Sequence, residues 1–282
     1  MIEFKHVDAS YDTVLPVLQD VSFTVNDGDF VAFVGTNGAG KSTTMRLVNG
    51  LLKPLSGEVL IDGQPTTELA TSELAARVGF LFQNPDNQIC CSTIREELLF
   101  GFRALDRDDE EAQHKVDDII EFFGFEPEAD PFLLNRGTRQ LLALASIVVL
   151  EPPIVVLDEP TTGLDYRECV QVMDIISRIH AQGTTVIMVC HDMEVVADYA
   201  TRVIVMSDGR VVDDGPTFQV LRNRDTMQRA SLMPPQVVGI SLGLADAHPA
   251  LANTSLAQAN TLDQMEAACL AAAQARGGGV HV

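Results

Sequence analysis

Gly35-Thr36-Asn37-Gly38-Ala39-Gly40-Lys41-Ser42 fits the pattern GxxxxGK[ST]. Each position has a physical reason. The glycines let the backbone bend until its N–H groups point inward at phosphate oxygens. A helix that starts at the end of the loop adds the positive end of its dipole, equivalent to about +0.5 charge. Lys41 can then reach the β- and γ-phosphates, and the Ser42 hydroxyl can sit on Mg²⁺. The run also has the required context of a strand-length apolar stretch before it and a helical pattern after it. A plain glycine-rich turn would need none of these features.

Leu157-Asp158-Glu159 ends another buried-strand run. Adjacent carboxylates there would repel by up to roughly 4 kcal/mol at 4 Å and an effective dielectric of 20, and a divalent cation relieves that cost. Asp158 is placed to hold Mg²⁺ through water, and Glu159 to polarise an attacking water. His191 follows a third such run, at the sheet edge where ligands bind in open α/β folds. A contact with the γ-phosphate is expected there, rather than a structural role. Gln83 and Tyr11, taken singly, are an ordinary polar strand end and an ordinary aromatic.

The elements that must carry these residues can be read from the apolar pattern. Ile2–Val7, Val21–Val25 and 57–61 are short strands, separated by turns at Asn26-Asp27-Gly28 and Asp62-Gly63. Continuous apolar runs at Phe30–Val34, 154–157 and Thr185–Val189 predict buried parallel strands. A helical segment, Tyr166–Ala181, between the last two implies a right-handed βαβ crossover. Residues 42–51 and most of 84–147 read as helical, with a charged stretch over 106–118 that reads as a solvated helix face. A hairpin is expected around Ser207-Asp208-Gly209. After Pro216 strong strand runs disappear, and 261–276 is Ala-rich and helical.

Composition bounds the function. Hydrophobic residues make up 46% of 282, which suits a folded chain. The start, Met1 to His6, lacks the pattern of a signal peptide. The longest strongly apolar segment, 141–150, is far short of the ~20 residues a membrane-crossing helix needs. Any membrane role is therefore expected to run through partners. The net charge of −21 argues against a broad nucleic-acid surface. Five cysteines, with no CxxC spacing, read as reduced thiols rather than disulfides or a metal site.

Taken together, the phosphate loop, Gln83, Leu157-Asp158-Glu159-Pro160, Thr162-Gly163-Leu164-Asp165 and His191 resemble the nucleotide-binding domain of ABC ATPases over roughly residues 2–217. The resemblance implies an α/β P-loop NTPase fold. Its parts would be a mainly parallel core sheet, an N-terminal antiparallel β subdomain, a helical subdomain over about 84–147 and a C-terminal helical extension over 218–282. It implies ATP and Mg²⁺ as cofactors. Tyr11 would stack on adenine, and Gly35, Asn37, Gly38, Ala39, Gly40, Lys41, Ser42 and Thr43 would hold the nucleotide. Ser42, Gln83 and Asp158 would serve the metal, Glu159 would be the general base and His191 the γ-phosphate sensor. Two such domains would sandwich two ATP molecules head to tail.

One element departs from the pattern. The place of the family's LSGGQ element, which serves the partner's nucleotide, holds Leu134-Asn135-Arg136-Gly137-Thr138. Asn135, Arg136, Gly137, Thr138 and Asp165 are thus the residues expected to face a partner's site. The substitutions favour a heterodimer over a homodimer, with the site on Lys41 and Glu159 the active one. The alternative is that Asn-Arg-Gly-Thr works adequately.

Phe82-Gln83-Asn84-Pro85-Asp86-Asn87-Gln88 is similar to the stretch found in ATPase subunits of energy-coupling factor transporters. That similarity implies a transmembrane coupling protein and a separate membrane protein that captures a vitamin or transition-metal ion. It also implies a place on the cytoplasmic face of the membrane, with Asp86 and Gln88 near the groove for the coupling helices. The competing readings are a soluble ABC ATPase of translation or DNA repair, a non-hydrolysing scaffold, and a P-loop kinase or GTPase. The single phosphate loop and acidic balance oppose the first, Glu159 with His191 the second, and the placing of His191 and Asp165 the third.

Overall fold

Among the described residues ten strands follow one another: β1 (Ile2–Ala9), β2 (Leu18–Val25), β3 (Phe30–Val34), β4 (Ser56–Ile61), β5 (Gln64–Pro65), β6 (Val78–Leu81), β7 (Ile154–Asp158), β8 (Thr185–Val189), β9 (Arg202–Ser207) and β10 (Arg210–Pro216). The computed structural model describes residues 1–11, 15–107 and 109–277. The strands form two sheets. One is antiparallel, in the order β2-β1-β4-β5, and the other has the order β10-β9-β3-β8-β7-β6. In the second sheet only the edge strand β10 runs antiparallel, paired with β9 across the expected hairpin.

Every residue of β3, β7 and β8 is buried, which is why their sequences are unbroken apolar runs rather than alternating ones. Val31, Phe33, Val156, Ile187 and Ile204 face the antiparallel sheet and the helix that follows the phosphate loop. The other face, with Ala32, Val155, Leu157 and Met188, packs on two helices described below. Within the antiparallel sheet Phe4 stacks on Phe23 at 4.3 Å, and Phe23 joins the two sheets by meeting Phe33 edge-on at 5.1 Å.

The helices are α1 (Lys41–Val48), α2 (Thr71–Arg77), α3 (Ile94–Ala104), α4 (Glu110–Phe123), α5 (Arg136–Val148), α6 (Tyr166–Ala181), α7 (Met193–Tyr199), α8 (Thr217–Leu221), α9 (Arg224–Arg229), α10 (Gln236–Ala247), α11 (Ser255–Gln258) and α12 (Leu262–Gly277). α1 stops short of the expected residue 51, because Gly50 turns the chain at φ +71. α3, α4 and α5 form the helical insertion. They bury their own apolar cluster, including Leu98, Phe102, Val116, Ile120 and Leu142. The opposite side of α5, with Ala143 and Leu144, joins α6 beneath the parallel sheet. Side-chain caps define the starts of these helices: Thr93 for α3, Asp109 for α4, Asn135 for α5 and Asp165 for α6.

Beyond β10 the described chain is helical. Arg222 ties α8 to the later helices by donating to the Ala257 and Ala259 carbonyls, and the Ser241 hydroxyl also donates to Ala259. The Gln236 N–H donates to Glu194, which connects α10 to α7. Among the described residues no helix is long and apolar enough to cross a membrane.

Candidate functional site

The strand order β3-β8-β7-β6 gathers the chemistry. The phosphate loop leaves β3, His191 follows β8, Asp158 ends β7 with Glu159 just beyond it, and Gln83 follows β6. Segments far apart in sequence therefore meet at the C-terminal ends of four consecutive parallel strands, the edge at which open α/β sheets bind ligands.

The loop itself demands glycine. At Gly35 φ is +144, and a Cβ would lie 2.1 Å from the Met206 carbonyl oxygen. Gly40, at φ +100, opens α1 in a left-handed conformation. Lys41 is buried, and its ammonium donates to the carbonyls of Gly35 at 2.7 Å and Thr36 at 2.9 Å. Burial holds its pKa below the usual lysine value, although Glu159 and Asp158 pull the other way.

Asp158 is buried and accepts a 3.1 Å hydrogen bond from the Ser42 hydroxyl. Burial raises its pKa, the Ser42 bond opposes the rise, and the neighbouring Glu159 adds to it. This pair of hard oxygens beside a phosphate loop suits a small divalent cation that retains waters.

Glu159 is the hub. His191 Nε2 lies 2.8 Å from its Oε1, while Gln83 Nε2 donates to Oε2 at 2.7 Å and the Thr162 hydroxyl donates to Oε2 at 3.0 Å. Its backbone has φ +53, unusual for a residue with a side chain, and its N–H donates to the Val189 carbonyl on β8. Strain of this kind persists where surrounding bonds over-determine it, and it clusters at functional sites. Thr162 was legible only as part of a loop motif; its bond to Glu159 is a fact of the fold.

Tyr11 is exposed and lies over the start of α1. Its hydroxyl is 3.2 Å from Thr43 Oγ1, and it accepts from Arg46, whose guanidinium carbon is 5.6 Å from the ring centre. Arg46 was not singled out from sequence. The signal was its place one turn after Ser42 on the same helix.

Asn135 caps α5 by accepting from the Thr138 N–H at 2.9 Å and the Thr138 hydroxyl at 3.2 Å. Arg136 is exposed, donates to the Thr162 carbonyl at 3.2 Å and packs against Gly163. Gly137 is buried so closely under Glu168 that a Cβ would sit 1.8 Å from its carboxylate oxygen. Asp165 and Glu168 cap α6 reciprocally. Asp86 pairs with Arg139 at 3.0 Å, and the Gln88 amide donates to the Ala143 carbonyl and Ser146 on α5. Gln88 also lines a groove of about 290 Å³ between the parallel sheet and the helical insertion, with Phe80, Phe82, Glu97 and Phe100.

A parallel sheet with a phosphate loop after β3, an antiparallel sheet on one face and a helical insertion before β7 define the class, an ABC-type ATP-binding domain. Residues 18–162 match the family described as ABC transporter, and the chain belongs to that family, whose ATP-binding subunits are ATPases. It is 35% identical over 252 residues to the energy-coupling factor transporter ATP-binding protein EcfA2 of Acetivibrio thermocellus, covering 88% of this chain and 90% of that one. It is 38% identical over 244 residues to a protein of Caldanaerobacter subterraneus described as an ABC transporter ATP-binding protein, covering 86% of this chain. The chain spans 43% of that relative's length, and 39% of the length of each of two Methanosarcina counterparts. Among solved structures it superposes on cbiO1 of Clostridium perfringens, described as part of the ABC transporter complex cbiONQ. The TM-score is 0.71 at 27% identity, over 89% of this chain and 96% of that one.

Proposed function

We propose that this chain hydrolyses ATP to power an energy-coupling factor type importer of a vitamin or transition-metal ion. The observation that carries the reading is the convergence of Gln83, Thr162 and His191 on Glu159 beside the Lys41 loop. The relatives named above support the coupling to transport. The ATP-binding unit is residues 1–217, and 218–282 form an extension.

Phosphoryl transfer to water needs mostly positioning and charge stabilisation. Lys41 and the amides of the loop bind the triphosphate, and Tyr11 covers the base. Ser42 and Asp158 would hold Mg²⁺, with Gln83 at the edge of that site. An ion held there would supply positive charge against the phosphate oxygens. Glu159 orients the water, and Gln83, Thr162 and His191 fix the direction of its carboxylate. His191 also reports the γ-phosphate.

A second ABC ATPase subunit, of different sequence, completes the Lys41 site with its own signature element. Asn135, Arg136, Gly137, Thr138 and Asp165 face the partner's nucleotide in return. A transmembrane coupling protein receives the motion, near Gln83, Asp86 and Gln88, and a separate membrane protein captures the substrate. The pair lies on the cytoplasmic face of the membrane, and no nucleic acid takes part.

Glu159→Gln tests the chemistry. The variant should keep ATP and accumulate as a closed dimer, with phosphate release reduced about 10²–10⁴-fold. Normal turnover would remove Glu159 from its role. Fast hydrolysis by a pure homodimer would contradict the unlike partner, and co-purification without any membrane protein would contradict the coupling.

A further inference from the structure

Cys90 and Cys91 lie in the segment between the Gln83 loop and α3, outside the nucleotide site. Their backbone N–H groups both donate to a single oxygen of Glu97, Oε2, at 2.9 and 2.8 Å. Glu97 projects from the first turns of α3 and is 4% exposed. This pair of hydrogen bonds to one carboxylate folds the two adjacent residues around it. The two sulfurs come within 4.0 Å of each other. Both sulfurs and a Glu97 oxygen lie within 4.8 Å of one another.

We infer that Cys90, Cys91 and Glu97 form a binding site for a thiophilic divalent ion of the zinc type. Zinc–sulfur bonds of about 2.3 Å at a tetrahedral angle set two thiolates about 3.8 Å apart, close to the spacing present here. Two sulfurs and one carboxylate oxygen are donors that zinc accepts together, and they leave a fourth position for water. Magnesium, which prefers oxygen alone, is a poor match for this set. Cys90 is exposed and Cys91 half-buried, so an ion can enter from solvent, whereas Glu97 anchors the floor.

A divalent ion would replace the thiol protons and offset the like charges of thiolate and carboxylate. Occupancy would join the segment after Gln83 to α3 through metal bonds. Spacing alone carries no metal signature here, because adjacent cysteines are not a CxxC pair and their third partner lies on the following helix.

The test is titration of the whole chain with Cd²⁺ in a non-thiol reductant, following the ultraviolet thiolate-to-metal charge-transfer band. The expected result is saturation at about one ion per chain. The band should be lost in Cys90→Ser/Cys91→Ser and kept in Cys169→Ser/Cys269→Ser. Glu97→Gln should keep a band but require more cadmium for half-saturation. An undiminished band in Cys90→Ser/Cys91→Ser overturns the site, and an unchanged half-saturation in Glu97→Gln overturns the carboxylate ligand. Far-UV circular dichroism checks that each variant folds. Should Glu97→Gln fail, Glu97→Asp, which keeps a carboxylate on a shorter stem, takes its place with the same two outcomes.

Discussion

Gln83 Nε2 lies 2.7 Å from Glu159 Oε2, so a residue of the loop after β6 holds the carboxylate just beyond β7. A hydrogen bond to a charged acceptor contributes roughly 1.5–3 kcal/mol. Gln83→Ala should therefore lower turnover about 10- to 100-fold while nucleotide affinity stays near that of the unaltered chain. Paired measurements of phosphate release and nucleotide binding check this. A loss confined to binding would show that Gln83 does not act through Glu159.

Tyr11 offers a ring to the base, and its hydroxyl meets Thr43 and Arg46. Tyr11→Phe keeps the ring and should keep the affinity. Tyr11→Ala should weaken adenine nucleotide binding about fivefold, equivalent to ~1 kcal/mol of aromatic stacking. Calorimetric titration with a non-hydrolysable ATP analogue distinguishes the two. Equal affinities for all three proteins would remove the stack.

Asp158 carries a pH signature. Burial raises its folded pKa above the ordinary 3.8. The stability it contributes is complete below the unfolded value and is lost as pH rises through the raised one. At neutral pH the buried charge is therefore a net cost. Asp158→Asn, which can still accept from Ser42, should raise the Tm of the nucleotide-free chain at neutral pH. The advantage should shrink as the solution is acidified into the carboxyl range. A Tm gain that grows in acid would contradict the burial argument.

Gly35 has no room for a methyl group, since the Met206 carbonyl oxygen would lie 2.1 Å away and φ is +144. Gly35→Ala should destabilise the chain by roughly 1–3 kcal/mol, the usual cost of overpacking. It should also deform the loop enough to abolish ATP binding. Thermal unfolding and nucleotide binding measured together provide the check. An unchanged Tm would mean that β3 and β9 separate without cost.

Much of this fold and site is legible in the sequence. Phe30–Val34, Ile154–Asp158 and Thr185–Val189 announce themselves because strands buried on both faces must be apolar throughout. The glycine loop is equally plain, since no other residue type allows its turns. The position of β8 between β3 and β7 is not in the local pattern, because pairing across a parallel sheet depends on crossovers rather than neighbours. The grip of Thr162 on Glu159, the Arg46 guanidinium over Tyr11 and the meeting of Cys90, Cys91 and Glu97 were equally hidden. Each joins side chains whose approach is decided by packing alone.

The start of α5 is fastened to the stretch that carries Glu159. Buried Gln140 donates to the Pro160 carbonyl, and Arg136 donates to that of Thr162, while Gly137 lets Glu168 press close. These ties make the helical insertion a lever with its short arm at the carboxylate. Rocking that insertion by even a small angle would drag residues 160–162 along and swing Glu159 against Gln83 and His191. Turnover in this chain would then be sensitive to forces applied at the far end of α3 or α4, well away from any phosphate.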